Sequence, residues 1–307
     1  MRQAAIAILL SAVSVLWFST GAVGSEVHWT PAHELAPSGS YGCMAAGDLD
    51  GDGDDDIADF VFVNMYRNTG CPGPPAWDLE EDVFPHMNML GCTGGRGTLG
   101  DVDADGDLDL VYGCYECCSL RMVWNVGTPQ WPAWEQGGAI LGDPYIESYS
   151  SPFLADLDGD GDLDVMATDQ GGGIFFYENT GTPQAPLWGS RQLIQDIDYG
   201  GMDYTVVLGD LDGDGDLDFL GGEGLRRLEC WENIGTPQEW SYVPNAAMLT
   251  GVDVPTNGVH GVALPDVDCD GDCDLLVSSW GVGYLYLNDQ FTPVGMRTWG
   301  TIKALFR

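Results

Sequence analysis

The chain has 307 residues, 48 acidic side chains against 10 Lys and Arg, and a formal net charge of −38, yet 44% of it is hydrophobic and 11% aromatic. That apolar content argues against a disordered polyanion, so the acid is carried on a folded core. So few basic residues also argue against nucleic acid or anionic lipid as partner, because phosphate binding needs a basic face; multivalent cations fit instead.

The chain begins with a short basic start, Met1-Arg2-Gln3, then an apolar run from Ala4 to Phe18 and a small-residue stretch ending Ala22-Val23-Gly24. This is the pattern of a secretory signal peptide over residues 1–24. The run is shorter than the ~20 residues of a membrane-spanning helix, and no later segment is apolar for long enough. The expectation is a secreted or cell-surface protein, bacterial in style, with no membrane span. In that setting the nine cysteines read as disulfides with one left over, their pairing open. Cys43, Cys71, Cys92, Cys114, Cys117 and Cys118 crowd the N-terminal third, and Cys269 and Cys273 belong to the fifth Asp-rich segment described next. A zinc site at Cys114-x-x-Cys117-Cys118 would need a second pair of ligands.

One pattern returns five times. Asp48 to Asp56 reads DLDGDGDDD, Asp101 to Asp109 DVDADGDLD, Asp156 to Asp164 and Asp210 to Asp218 both DLDGDGDLD, and Asp266 to Asp274 DVDCDGDCD, with starts 53, 55, 54 and 56 residues apart. A period this steady means a repeat architecture. A short segment precedes each loop: Cys43 to Ala46, Gly97 to Leu99, Pro152 to Ala155, Thr205 to Leu208 and Val259 to Leu264. An apolar run follows it, at Ile57 to Val63, Leu108 to Tyr112, Leu163 to Ala167, Leu217 to Leu220 and Leu275 to Val277. After a turn comes a segment of alternating pattern closing on asparagine: Asn64 to Asn68, Leu120 to Asn125, Ile174 to Asn179, Leu228 to Asn233 and Tyr284 to Asn288. Alternation of period two is a strand signal. Gly-Thr-Pro-Gln then breaks the chain at Gly127, Gly181 and Gly235, with degenerate copies around Cys71 and Thr292, and a tryptophan opens the next strand at Trp77, Trp134, Trp188, Trp240 and Trp299.

Four strands per repeat of about 54 residues is the size of a β-propeller blade. The predicted fold is therefore all-β, a propeller of five four-stranded blades over residues 25–290, because seven blades would leave only about 40 residues each. Closure of the ring is open to two readings. An early Trp segment, Trp29 to Leu35, completes the last blade, or the strand around Trp299 does. Residues 291–307 contain Arg297, Lys303 and Arg307 and no acid, a break in composition that favours the first reading and makes this stretch an appended basic tail.

In D-x-D-G-D-G-D-x-D, positions 1, 3, 5 and 9 can turn carboxylates towards one centre, position 7 offers its carbonyl, and glycine at position 6 permits the sharp turn. An all-oxygen wrap of this kind suits calcium rather than zinc or copper. The candidate metal residues are Asp48, Asp50, Asp52, Asp54 and Asp56; Asp101, Asp103, Asp105, Asp107 and Asp109; Asp156, Asp158, Asp160, Asp162 and Asp164; Asp210, Asp212, Asp214, Asp216 and Asp218; and Asp266, Asp268, Asp270, Asp272 and Asp274. Position 12, a glutamate in an EF-hand, is Asp59, Tyr112, Ala167, Gly221 and Val277 here, which rules that motif out. About five Ca2+ ions are expected, structural in role. Loops two and five replace the glycine of position 4 by Ala104 and Cys269.

Through this loop, the D-L-D-[VFL] strand after it and the Y-x-N-x-G-T-P segment, the chain resembles the FG-GAP or VCBS repeats of integrin-α-like propellers over Ser25 to about Asp289. The resemblance implies calcium held between the first two strands of each blade through positions 1, 3, 5, 7 and 9. It also implies extracellular adhesion and ligand recognition, although such propellers commonly have seven blades.

If the Asp loops share one face, the turns on the opposite face carry the candidate ligand site: Tyr41, Arg96, Tyr145, Tyr149, Tyr199, Tyr204, His260 and Trp280, with Glu147, Asp169, Asp203 and Glu223 beside them. Aromatic and polar tips suit a carbohydrate or an extended protein segment. The expected function is an extracellular ligand-binding or adhesion module, monomeric and not catalytic. The alternative is a secreted five-bladed glycoside hydrolase or lyase using carboxylates outside the loops, such as Asp169, Glu223 and Asp253. No spacing marks an acid and a base among them, His28, His33, His86 and His260 form no metal motif, and no G-x-S-x-G element is present.

Overall fold

Strands form here because each apolar run alternates with turns rich in Asp, Gly and Pro, and no run is long enough to bury a helical face. In the computed structural model, the described residues are 27, 29–35, 44–59, 64–81, 83–84, 96–113, 120–139, 150–168, 172–196, 204–223, 228–236, 239–253, 258–279 and 282–288. The signal-peptide segment and the 291–307 tail lie outside them, as do Cys43, Cys92, Cys114, Cys117 and Cys118.

Five four-stranded antiparallel sheets follow one another as the blades of a propeller. Blade one is β2 (Met44–Gly47), β3 (Asp56–Asp59), β4 (Asn64–Asn68) and β5 (Trp77–Glu80). Blade two is β6 (Arg96–Gly100), β7 (Asp109–Gly113), β8 (Leu120–Asn125) and β9 (Trp134–Ala139). Blade three is β10 (Pro152–Ala155), β11 (Asp164–Thr168), β12 (Gly173–Tyr177) and β13 (Gln192–Asp196). Blade four is β14 (Tyr204–Gly209), β15 (Asp218–Glu223), β16 (Leu228–Asn233) and β17 (Tyr242–Pro244).

The fifth blade closes the ring. Its inner strands β18 (Gly261–Ala263), β19 (Leu275–Ser279) and β20 (Val282–Asn288) come from the C-terminal repeat, and its outer strand is the N-terminal β1 (Trp29–Leu35), paired antiparallel to β20. Register explains why this strand fits. In blades one and two the asparagine ending the third strand faces the tryptophan that opens the fourth, Asn68 with Trp77 and Asn125 with Trp134; in blade three Asn179 and Trp188 form an isolated bridge beyond the end of β12, and the fourth strand begins only at Gln192. In blade five Asn288 faces Trp29, so the N-terminal segment completes the last blade, the first of the two closure readings. Blade four departs from the pattern, because Asn233 faces Tyr242 instead of Trp240. Trp29 is 1% exposed, and its indole N–H donates to the Met248 carbonyl at 2.7 Å. Met248 sits in a single 3-10 turn, Ala246–Leu249, that the sequence pattern did not announce.

The core lies between blades. The second residue of every Asp loop (Leu49, Val102, Leu157, Leu211, Val267) is buried, as are the second-strand residues Ile57, Leu110, Val165, Phe219 and Leu275. The inner strand ends on glycine where a neighbour presses in. A Cβ on Gly47 would lie 2.8 Å from Leu108 Cδ1, on Gly100 3.0 Å from Leu163 Cδ1, and on Gly209 3.8 Å from Cys273 Sγ. Position 8 of each of these loops therefore packs on the inner strand of the preceding blade. At the closing seam this apolar contact is polar instead, since position 8 of loop one is Asp55, whose carboxylate accepts the Asp266 N–H at 3.0 Å.

Candidate metal centres

The loop order follows from hydrogen bonds within each motif. The Oδ1 of position 5 accepts the N–H of position 7 in all five loops, at 3.1 or 3.2 Å (Asp52 from Asp54, Asp105 from Asp107, Asp160 from Asp162, Asp214 from Asp216, Asp270 from Asp272). Position 3 accepts the N–H of position 5 in loops one, three, four and five. The N–H of position 4 donates to position 1 in loops one, three and four, at 2.7 to 2.8 Å. Position 4 has positive φ in every loop, from 56° at Ala104 to 82° at Gly159, and Cys269 adopts it at 60°. A side chain there is strained, so loops two and five hold this geometry at a cost the glycine loops avoid.

Position 9 anchors the loop to the blade. Asp56, Asp109, Asp164, Asp218 and Asp274 are at most 1% exposed. One carboxylate oxygen of each accepts the N–H of loop position 2, at 2.9 to 3.1 Å. The other accepts the N–H of the asparagine ending the third strand, at 2.7 to 3.0 Å. That asparagine is a second hub. The Oδ1 of Asn125, Asn179 and Asn233 takes the N–H of the turn glycine (Gly127, Gly181, Gly235) and another N–H six residues further on (Ala133, Leu187, Ser241). The asparagine is visible in the repeat, but its latching role is not, because it depends on the β-ladder bringing residues 15 or so apart into contact.

Carboxylates converge in all five loops. Groups whose ligand atoms lie within 4.8 Å of one another are Asp48, Asp50 and Asp56; Asp101, Asp103 and Asp105; Asp156, Asp158 and Asp164; Asp210, Asp212 and Asp218; and Asp266, Asp268 and Asp274. Positions 1 and 3 belong to every group; position 9 completes four, and position 5 completes the group in loop two. The side chains of position 7 (Asp54, Asp107, Asp162, Asp216, Asp272) are outside these groups, and each keeps a buried carboxylate oxygen that accepts no hydrogen bond. Within the groups, Oδ1 of Asp103 and of Asp266 is likewise buried without a donor. Buried carboxylate oxygens turned on one another and lacking donors fit an oxygen-bound cation.

Electrostatics point the same way. Burial, partly offset by the two backbone N–H donors, pushes Asp56, Asp218 and Asp274 up to about 8 and Asp109 and Asp164 to about 7. At position 7, burial and then the neighbouring carboxylates raise Asp54, Asp107 and Asp216 to about 7, Asp162 to about 6 and Asp272 to about 9. Without a cation these loops hold protons that a free aspartate would have lost.

Loop one has a feature the repeat pattern missed. Arg67 of β4 reaches Asp50 Oδ2 at 2.6 Å and Glu80 Oε1 at 2.9 Å, setting a guanidinium on position 3. Loop five is tied to blade one by a disulfide, Cys71 to Cys269, with Cα atoms 5.7 Å apart and a separation of 198 positions in sequence. Cys230 and Cys273 are unpaired.

The model of the FG-GAP-like repeat matches residues 101–167 and 156–221. This stretch carries FG-GAP-like repeats. Repeats of the same plan form all five blades in the structure. No curated protein matches the sequence. Among solved structures, the α-L-arabinofuranosidase PaAbf62A from Podospora anserina is 10% identical with TM-score 0.53, covering 87% of this chain and 98% of that one. The catalytic domain of the Coprinopsis cinerea GH62 α-L-arabinofuranosidase is 9% identical with TM-score 0.51, covering 86% and 98%. An Agrocybe aegerita lectin that recognises non-reducing terminal N-acetylglucosamine is 19% identical with TM-score 0.43; the match covers 82% of this chain but only 64% of the lectin. At these identities the likeness to the two arabinofuranosidases is one of fold.

Of the candidate ligand face, Arg96 and His260 are described in full. Arg96 opens β6 and His260 precedes β18, at the ends of inner strands opposite the Asp loops, and both are 7% exposed, so they are buried groups and not surface tips. The His260 N–H donates to the Ser278 carbonyl. Tyr204 opens β14 and Glu223 ends β15, with only their backbones described. Tyr41, Tyr145, Glu147, Tyr149, Asp169, Tyr199, Asp203 and Trp280 lie outside the described residues. Asp253 offers its carbonyl to the Tyr286 hydroxyl at 2.8 Å. Among the described residues no helix is long and apolar enough to cross a membrane.

Proposed function

We propose that the chain is a secreted calcium-binding propeller acting as an extracellular ligand-binding module for a carbohydrate or a protein, with calcium in a structural role. The observation that carries the calcium reading is the fivefold convergence of loop carboxylates on one centre per blade. Positions 1, 3, 5 and 9 would hold the ion together with the position-7 carbonyl, and oxygen-only donors select a hard cation of calcium's size and flexible coordination. Bound calcium would supply the charge that now has to come from protons, and it would brace the face where inner strand and second strand meet. A rigid ring leaves the opposite loops to bind, and a disulfide is compatible with an oxidising compartment.

The test is retention of the mature chain on a panel of polysaccharides and extracellular-matrix proteins in millimolar calcium, with a chelator control and released sugar assayed in the supernatant. Calcium-dependent retention without release supports the module. Release of sugar would replace it by the hydrolase reading, and absence of both would leave a calcium-braced structural ring.

A further inference from the structure

The closing seam joins the most altered Asp loop to the only inter-blade disulfide among the described residues. Every residue in the first half of loop five is held by blade one. The Asp266 N–H donates to Asp55 Oδ2 at 3.0 Å, and Asn68 Nδ2 donates to the Val267 carbonyl at 2.8 Å. The Asp268 carbonyl accepts the Gly73 N–H at 3.3 Å, and Cys269 is bonded to Cys71. Asp266 and Asp268 are two of the three carboxylates that converge in this loop, and Cys269 stands between Asp268 and Asp270. Its φ of 60° belongs to the same left-handed wrap that the other loops make with Gly51, Ala104, Gly159 and Gly213.

We propose that the Cys71–Cys269 bond is a thiol–disulfide exchange site linked to the ion site of loop five, so that reduction weakens that site and the bound ion protects the disulfide. The proposal rests on the calcium reading above. The two events share one piece of backbone, residues 266–270. The disulfide holds it in the wrapped conformation against the repulsion of its carboxylates and the strain at Cys269, and an ion in the loop holds it there as well. Either one therefore prepares the loop for the other, and linkage requires the effect to be reciprocal. Both cysteines are partly exposed, within reach of a small thiol such as glutathione. In the exchange a first glutathione thiolate attacks one sulfur, forming a mixed disulfide and releasing the other cysteine as a thiolate that takes up a proton. A second glutathione thiolate displaces the remaining cysteine, so two electrons and two protons pass to Cys71 and Cys269 and glutathione disulfide leaves.

The experiment equilibrates the full-length mature chain in glutathione redox buffers with and without millimolar calcium, and follows the Cys71 and Cys269 peptides by differential alkylation and mass spectrometry. The expected result is a tenfold or larger shift of the exchange constant towards the disulfide in calcium, which is about 30 mV in midpoint potential. Calcium titration of the oxidised chain and of Cys71→Ser should show one site of five weakened by the same factor and four unchanged. A midpoint that calcium does not move overturns the linkage even if Cys71→Ser fails to fold, while calcium binding by the oxidised chain would still stand. Absence of calcium binding in the oxidised chain overturns the calcium reading and the linkage with it.

Discussion

Asp158 and Asp164 both belong to the carboxylate group of loop three, yet they differ in what else they hold. Asp158 accepts one N–H, from Asp160, in an exposed part of the loop. Asp164 is fully buried and accepts the N–H of Leu157 at 3.0 Å and of Asn179 at 2.7 Å. Replacing either by alanine removes a ligand, so in calcium both variants should lose the stabilisation that the third ion supplies. In chelator they should separate. Asp158→Ala removes one of several mutually repelling charges and should leave stability within about 0.5 kcal/mol of the parent, as exposed substitutions do. Asp164→Ala strands two buried donors at about 1–3 kcal/mol each, a loss of roughly 2–6 kcal/mol and about 5–15 °C in melting temperature for a chain of this size. Urea denaturation and thermal melts at pH 7.5, with and without EDTA, measure both. Equal stability of the two variants in chelator would refute the assignment of position 9 as the anchor of the loop to its blade.

Arg67→Ala should raise the calcium affinity of loop one several-fold by freeing Asp50 Oδ2, detectable as one site of five strengthened in a calorimetric titration. Calcium binding should strengthen from pH 6 to pH 8 and release protons as it does so, because Asp56, Asp164 and Asp218 stand at about 7 to 8 without an ion; calorimetry in buffers of different ionisation enthalpy counts them. The chelated protein should behave in the opposite sense to an ion-paired one. Its position-7 and position-9 carboxyls have folded pKa values above the unfolded value of about 3.9, so the folded state binds the more protons and stability falls as pH rises from about 4 to about 8. A chelated chain whose melting temperature rises over that range would contradict this. Trp29→Ala should cost about 3–5 kcal/mol by emptying the buried place in the closing blade, read as a drop in the urea midpoint.

The repeat was legible because the motif is local. Nine consecutive residues contain their own turn glycine and their own carboxylates, so five loops, their spacing and the four strands around each can be read without knowing the partners. Short-range rules also located the strand ends closely: Pro152 to Ala155, Asn64 to Asn68, Leu120 to Asn125 and Leu228 to Asn233 are strands with those bounds in the structure. What the sequence left open depends on residues far apart. Trp29 against Asn288 decides that the N-terminal strand closes the ring, and that pairing rests on the ladder register of a sheet whose members come from opposite ends of the chain.

Charge distribution had the same limit. Composition required acid on a folded surface, but only the packed structure makes position 9 a buried hub with two backbone donors. Arg67, Asp55 and the Cys71–Cys269 bond carry no motif of their own. Sequence by itself determined the blade, because a blade is made of neighbours along the chain. The tertiary structure decided the seam, because a ring closes only where residues about 200 positions apart meet, and no local preference encodes that meeting.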